Sequence, residues 1–214
     1  MITELKRRSR TIATGPALAL GRLGFTPNAL TVLGSVLTAC VGLLVAQGWF
    51  QAAGVCLWLF SLTDTLDGAL ARATDRASVF GAFLDSVCDR YAEAGVFLGL
   101  VWWYQSVGDA LGVALAYLSI IGSLMVSYAR ARAEGVGFEA ADVGWFQRPE
   151  RIVLLGLGFL LVAIQPAALL VVLALLAVLT TVTVLQRVRY VADRARGDPF
   201  GIQSQPSGPR SSVD

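Results

Sequence analysis

Apolar residues gather into six runs along the chain, at roughly 29–47, 52–72, 79–105, 110–133, 150–165 and 167–186, separated by polar or charged breaks. A helix crossing the hydrocarbon core of a bilayer needs about 20 predominantly apolar residues, and each run approaches that length. The fifth is the shortest, with Pro166 marking the turn after it. The pattern predicts an all-α integral membrane protein of six transmembrane helices. Ahead of them, residues 1–25 interleave Lys6, Arg7, Arg8, Arg10 and Arg22 with Leu5, Ile12, Leu18, Leu20 and Leu23. That reads as an interfacial amphipathic helix on an anionic membrane surface. A signal peptide is the competing reading, but the next apolar run is a full span and has no clear small-x-small cleavage site. Thr26-Pro27-Asn28 breaks the chain, and Thr26 or Asn28 is placed to cap the helix that follows. The end of the chain, rich in Pro, Gly, Ser and Gln from residue 197, is expected to be disordered. The organisation is therefore a cytoplasmic segment at 1–25, a membrane domain at 26–190 and a tail at 191–214.

Composition agrees. Of the 214 residues, 56% are hydrophobic and the mean hydropathy is +0.66, far above a soluble domain. A net charge of +2 supplies no field for a polyanion, so no nucleic-acid partner is expected. The absence of histidine excludes histidine-based triads. The distribution of charge says more than its sum. The breaks at 47–52, 105–109 and 164–166 hold no lysine or arginine, while all 17 basic residues lie at 1–25, 72–90, 130–151 and 187–210. Positive charge marks the cytoplasmic side, which places both termini there, in a multi-pass protein of the cell (plasma) membrane.

Against this apolar background stands the stretch Asp64 to Asp89, on the same cytoplasmic side. In helices, Asp64 and Asp67 share a face at i,i+3, and Asp85 and Asp89 at i,i+4. Acidic side chains beside membrane spans are costly and mark function. Two facing helices would gather four anions, a set suited to two divalent cations with a preference for oxygen, Mg2+ or Mn2+. Gly68, Ala71 and Gly81 leave room for a ligand near the backbone, and Arg72 is placed to hold a phosphate. A plainer reading makes Asp75 and Ser78 cap residues and Arg72 a membrane anchor. It leaves the regular spacing of the four carboxylates unexplained.

The residues Asp64, Asp67, Gly68, Ala71, Arg72, Gly81, Asp85 and Asp89 keep every spacing of the signature of the CDP-alcohol phosphotransferases, a family this chain therefore resembles. The resemblance implies attack by an alcohol hydroxyl on the lipid-side phosphorus of a CDP-linked lipid, with CMP leaving. It implies Asp64, Asp67 and Asp85 as metal ligands, with Asp89 both proton acceptor and ligand of a second ion. The CDP-lipid would lie along Gly68, Ala71, Arg72, Ser78 and Gly81, with further contacts from Asn28, Ala29, Leu30 and Thr31. A homodimer is also expected from the family.

The connection from Arg130 to Arg151 carries Arg130, Arg132, Arg148 and Arg151 at its ends. These are ordinary positive-inside anchors or a pocket for an anionic head group, since arginine matches phosphate with a bidentate fork. The segments SYARARAE and QRPERIV resemble bacterial phosphatidylinositol-phosphate synthases. That implies CDP-diacylglycerol and inositol 1-phosphate as substrates, held among membrane lipids, with the four arginines on the acceptor phosphate. A phosphatidylglycerophosphate synthase using glycerol 3-phosphate is the alternative, and a cation transporter a distant one.

Overall fold

The computed structural model describes residues 14–140 and 143–197, and every regular element among them is helical. Residues 14–22 form α1, followed by α2 (Pro27–Ala46), α3 (Phe50–Ser61), α4 (Thr63–Ala73), α5 (Val79–Ser106), α6 (Ala110–Gly135), α7 (Arg148–Leu161) and α8 (Ala168–Gly197).

The helix starts follow local chemistry. Thr26 Oγ1 accepts the Ala29 amide at 3.2 Å, and Pro27 lacks the amide that the first turn would leave unpaired. Ser78 caps α5 through the Gly81 amide at 3.0 Å, and Asp109 caps α6 through the Gly112 amide at 2.9 Å. Glu150 reaches back to the Gln147 amide at 3.0 Å at the start of α7, with Pro149 in its first turn. Ser78 is thus a helix cap, as the plainer sequence reading had it.

The second apolar run was expected to be one helix, and it is broken at Leu62. Two hydroxyls take up the carbonyls of the turn: Ser61 donates to Trp58 O at 2.8 Å, and Thr63 to Phe60 O at 2.5 Å. α2 crosses there so closely that a Cβ on Gly34 would collide with the Thr63 side chain. The short helix α4, which bears Asp64 and Asp67, is the consequence. At the other end, α8 runs through residue 190 to Gly197, so residues 191–197 belong to a helix and not to a tail. Residues 198–214, the rest of that expected tail, lie outside the described residues, as does the basic part of the expected interfacial helix at 1–13. The described α1 packs on the site-bearing helices: Ala17 is buried with Leu30, Ala69 and Leu70.

The main core gathers Val41, Phe50, Phe97, Leu100, Phe159 and Leu173. α2 and α5 make the most extensive pairing, with α6 on α8 and α3 on α7. A Cβ on Gly99 would collide with the Gly42 backbone, and one on Gly95 would sit 2.8 Å from Ala39 Cα. The Gly95–Gly99 motif therefore serves packing within the chain, and the expected homodimer draws no support from it. Leu43 (64% exposed), Leu98 (67%) and Trp102 (68%) point outwards. Apolar surface of this kind is what a bilayer solvates. Among the described residues, Pro27–Ala46, Ala110–Gly135 and Ala168–Arg196 are long and apolar enough to cross a membrane.

Candidate active site

The helical spacing of the aspartates brings three of them together. Carboxylate oxygens of Asp64 on α4 and of Asp85 and Asp89 on α5 all lie within 4.8 Å of one another. Asp67 stands beside this trio with its carboxylate already engaged. Its Oδ2 accepts the Thr31 hydroxyl and its Oδ1 the Gly68 amide, each at 2.5 Å. Thr31, expected as a nucleotide contact, thus orients Asp67.

Three anions held so close need compensation. Arg148, at the start of α7, supplies part of it by pairing with Asp64 and with Asp89, the latter at 2.8 Å. Arg90 pairs with Asp89 at 3.2 Å. The compensation is incomplete. Asp89 Oδ1 is buried and, although close to Arg148, receives no aligned hydrogen bond, while the buried Arg148 Nε has no partner. A trio of hard oxygen ligands with an unsatisfied lone pair fits a divalent cation such as Mg2+ or Mn2+.

Two cavities meet at this trio. One, of about 310 Å³, lies between α2, α4 and the start of α5. Asn28, Thr31, Gly68, Ala71, Arg72, Ser78 and Gly81 line it, together with Asp64, Asp67 and Asp85. Ala29 and Leu30, expected in the same place, do not line it: Ala29 is exposed, and Leu30 is buried in the small apolar cluster with Ala69. On a helix, neighbouring residues stand 100° apart, so Asn28 and Thr31 share a face that Ala29 and Leu30 leave. The tight fit around Gly81 has a reason as well. A Cβ there would sit 3.2 Å from both Asn28 Oδ1 and Ser78 Oγ.

The second cavity, of about 1070 Å³, lies on the other side of α5, against α6, α7 and α8. Asp85 and Asp89 form part of its wall with Arg130, Arg148 and Arg151, and apolar side chains such as Phe83, Val87 and Leu124 complete it. Arg132 does not line it. It is exposed on α6, about 200° around the helix from Arg130. Asp85 belongs to the walls of both cavities.

The family model for CDP-alcohol phosphatidyltransferases matches residues 25–186. The chain belongs to this family. It is 41% identical over 157 residues to a phosphatidylinositol phosphate synthase of Mycobacteroides abscessus, covering 72% of this chain and 71% of that one. Its fold is similar to the crystal structure of the Mycobacterium tuberculosis phosphatidylinositol phosphate synthase with CDP-DAG bound. The TM-score is 0.80 at 36% identity, covering 85% of this chain and 94% of the other. A second structure of that enzyme, in complex with manganese and citrate, matches with a TM-score of 0.79 at 36% identity, covering 84% and 88%.

Two residues of this CDP-alcohol phosphatidyltransferase escaped the sequence reading. Arg187 on α8 enters the wall of the large cavity, held by the carbonyl of Val126 and, at 2.9 Å, by that of Val143. In the sequence it was one more member of a basic cluster. Glu93, one turn after Asp89 on α5, binds Arg151 through hydrogen bonds of 2.9 to 3.2 Å, and both side chains are buried. An acid at i+4 from Asp89 inside an apolar run was a visible signal. The pair fastens the start of α7 to α5, which sets Arg148 beside Asp89. Glu93→Ala would strand the Arg151 charge and is expected to destabilise the protein by about 3–5 kcal/mol. Unfolding in detergent measures this, and the double variant Glu93→Leu with Arg151→Leu should recover most of the loss.

Proposed function

We propose that the chain transfers the phosphatidyl group of CDP-diacylglycerol to D-myo-inositol 1-phosphate, giving phosphatidylinositol phosphate and CMP. The observation that carries this reading is the carboxylate trio at the meeting point of two cavities, one rich in small residues with Arg72 at its wall, the other walled by arginines. The reaction needs such a junction between donor and acceptor.

The donor occupies the smaller cavity. Gly68 and Gly81 let its diphosphate approach the backbone, and Arg72, folded back over Gly68 at 3.3 Å from an added Cβ, pairs with the phosphates. The acceptor occupies the larger cavity. Arg130, Arg148 and Arg187 bind its phosphate, while Arg151 contributes from the wall under the hold of Glu93. The names of the relatives favour inositol phosphate over glycerol 3-phosphate. Asp89, buried at the junction, takes the proton of the acceptor hydroxyl as its oxygen bonds to the lipid-side phosphorus. The bond from that phosphorus to the bridging oxygen breaks, and its electron pair leaves with CMP. Two divalent cations held by Asp64, Asp67, Asp85 and Asp89, Mg2+ or Mn2+, would neutralise the diphosphate and the developing charge on CMP. The exposed apolar side chains beside the large cavity, Phe83 and Val87 among them, give the acyl chains a route to the bilayer.

The topology that serves this chemistry has six crossings, made by α2, the broken pair α3 and α4, α5, α6, α7 and α8. The site and both termini face the cytoplasm, where a CTP-derived substrate is supplied.

CMP release by the purified protein tests the reading. Release is expected only when CDP-diacylglycerol, inositol 1-phosphate and a divalent cation are all present, and a chelator should abolish it. Release with free inositol as readily as with its phosphate would remove the role of the arginines. Arg130→Ala, at an exposed position, is expected to raise the KM for inositol 1-phosphate about tenfold or more, as loss of a charged hydrogen bond does. The KM for CDP-diacylglycerol should stay within about twofold, inside the scatter expected when no contact to it is lost.

A further inference from the structure

Arg148 stands where two demands meet. Its guanidinium bridges Asp64 and Asp89, two of the three carboxylates whose oxygens lie within 4.8 Å of one another. It also lines the large cavity, and its buried Nε has no partner. The backbone beneath it is fixed. Pro149 and the Glu150 contact order the first turn of α7, and the buried Glu93–Arg151 pair ties that turn to α5. Any rearrangement of Arg148 is therefore one of its side chain.

A divalent cation held by Asp64 and Asp89 and a guanidinium bridging the same two carboxylates compete, because like charges would be packed against one another. The geometry points to Arg148 as a coupling residue: it competes with the divalent cation for Asp64 and Asp89, and once displaced it turns its fork to the anionic group of the acceptor in the large cavity. The inference rests on the metal and acceptor assignments of the proposed function and adds the linkage between them. Coupling of this kind is reciprocal, so a cation must tighten anion binding by the same factor as the anion tightens cation binding. The enzyme would then hold its acceptor firmly only after the cation site is filled.

Calorimetric titration of the full-length protein in detergent with Mn2+, with and without sulfate, tests this. Sulfate is the probe because it resembles the phosphate dianion and binds free Mn2+ weakly. For the unaltered protein, sulfate is expected to tighten Mn2+ binding about fivefold or more, within the usual range of coupling between sites. Arg148→Gln should bind Mn2+ about tenfold more tightly without sulfate and lose the effect of sulfate. Arg148→Lys keeps the charge but not the planar fork that bridges two carboxylates. It should also bind Mn2+ more tightly than the unaltered protein, which a simple field effect would not produce. Unchanged or weakened Mn2+ affinity on adding sulfate overturns the inference without any variant. So does Arg148→Gln that keeps the sulfate effect, or Arg148→Lys that binds Mn2+ like the unaltered protein. Failure of the unaltered protein to bind Mn2+ at all would remove the metal assignment itself, whereas Mn2+ binding without coupling removes only this inference.

Discussion

Asp89→Asn is expected to lower kcat by about 10³-fold, in the middle of the range for loss of a positioned proton acceptor. The amide is isosteric with the carboxylate, so the packing of α5 around this buried position is kept. What disappears is the basicity and one anion of the trio. Asp64 and Asp85 remain, and Asp67 stays fixed by Thr31 and Gly68. CDP-diacylglycerol binding should therefore survive to within a few-fold. Binding and turnover measured on the same preparation separate the two effects. A loss of donor binding as large as that caused by changing Asp64 would end the assignment of Asp89 as proton acceptor.

Asp64→Asn is expected to have the other large effect. Asp64 belongs to the trio, lines the smaller cavity and pairs with Arg148. Its neutralisation takes one anion from the proposed cation site and frees Arg148 from one of its two carboxylates. The expected result is a fall in kcat/KM of about 10²–10³-fold, typical for losing an electrostatic stabiliser, and weaker donor binding as well. Mn2+ affinity measured calorimetrically should fall with it. Unaltered Mn2+ affinity in a folded Asp64→Asn variant would place the cation elsewhere.

Much of the site could be read from spacing alone, because helix geometry converts i,i+3 and i,i+4 into a shared face. Asp85 and Asp89 share a face of α5 as that rule requires and meet Asp64 there, and Gly68, Ala71, Arg72 and Gly81 line one cavity with Asp64 and Asp85. The same rule, applied residue by residue, would have excluded Ala29, Leu30 and Arg132 from the cavities. Ala29 and Leu30 enter the expectation as part of the continuous stretch that the resemblance implies, and Arg132 as one of its basic positions, although adjacent residues of a helix point apart. The break at Leu62 was not legible in hydropathy, since residues 52–60 are apolar throughout and the hydroxyls of Ser61 and Thr63 decide the turn. Gly95 and Gly99 lie one turn apart on α5, but spacing cannot name the helix they meet, which only the approach of α2 reveals. Arg187 and Glu93 escape for different reasons. One lay within a cluster of like residues. The other is an acid whose purpose depends on an arginine 58 positions away in the chain.

The most direct measurement is a competition. Purified protein in detergent, with CDP-diacylglycerol and Mg2+, is offered equal concentrations of inositol 1-phosphate and glycerol 3-phosphate, and the lipid products are identified by mass spectrometry alongside the CMP released. Phosphatidylinositol phosphate is expected as the dominant lipid, formed in step with CMP and abolished by Asp89→Asn. Phosphatidylglycerophosphate as the dominant product would contradict the acceptor while keeping the chemistry, and folded protein that releases no CMP with either alcohol would contradict the account as a whole.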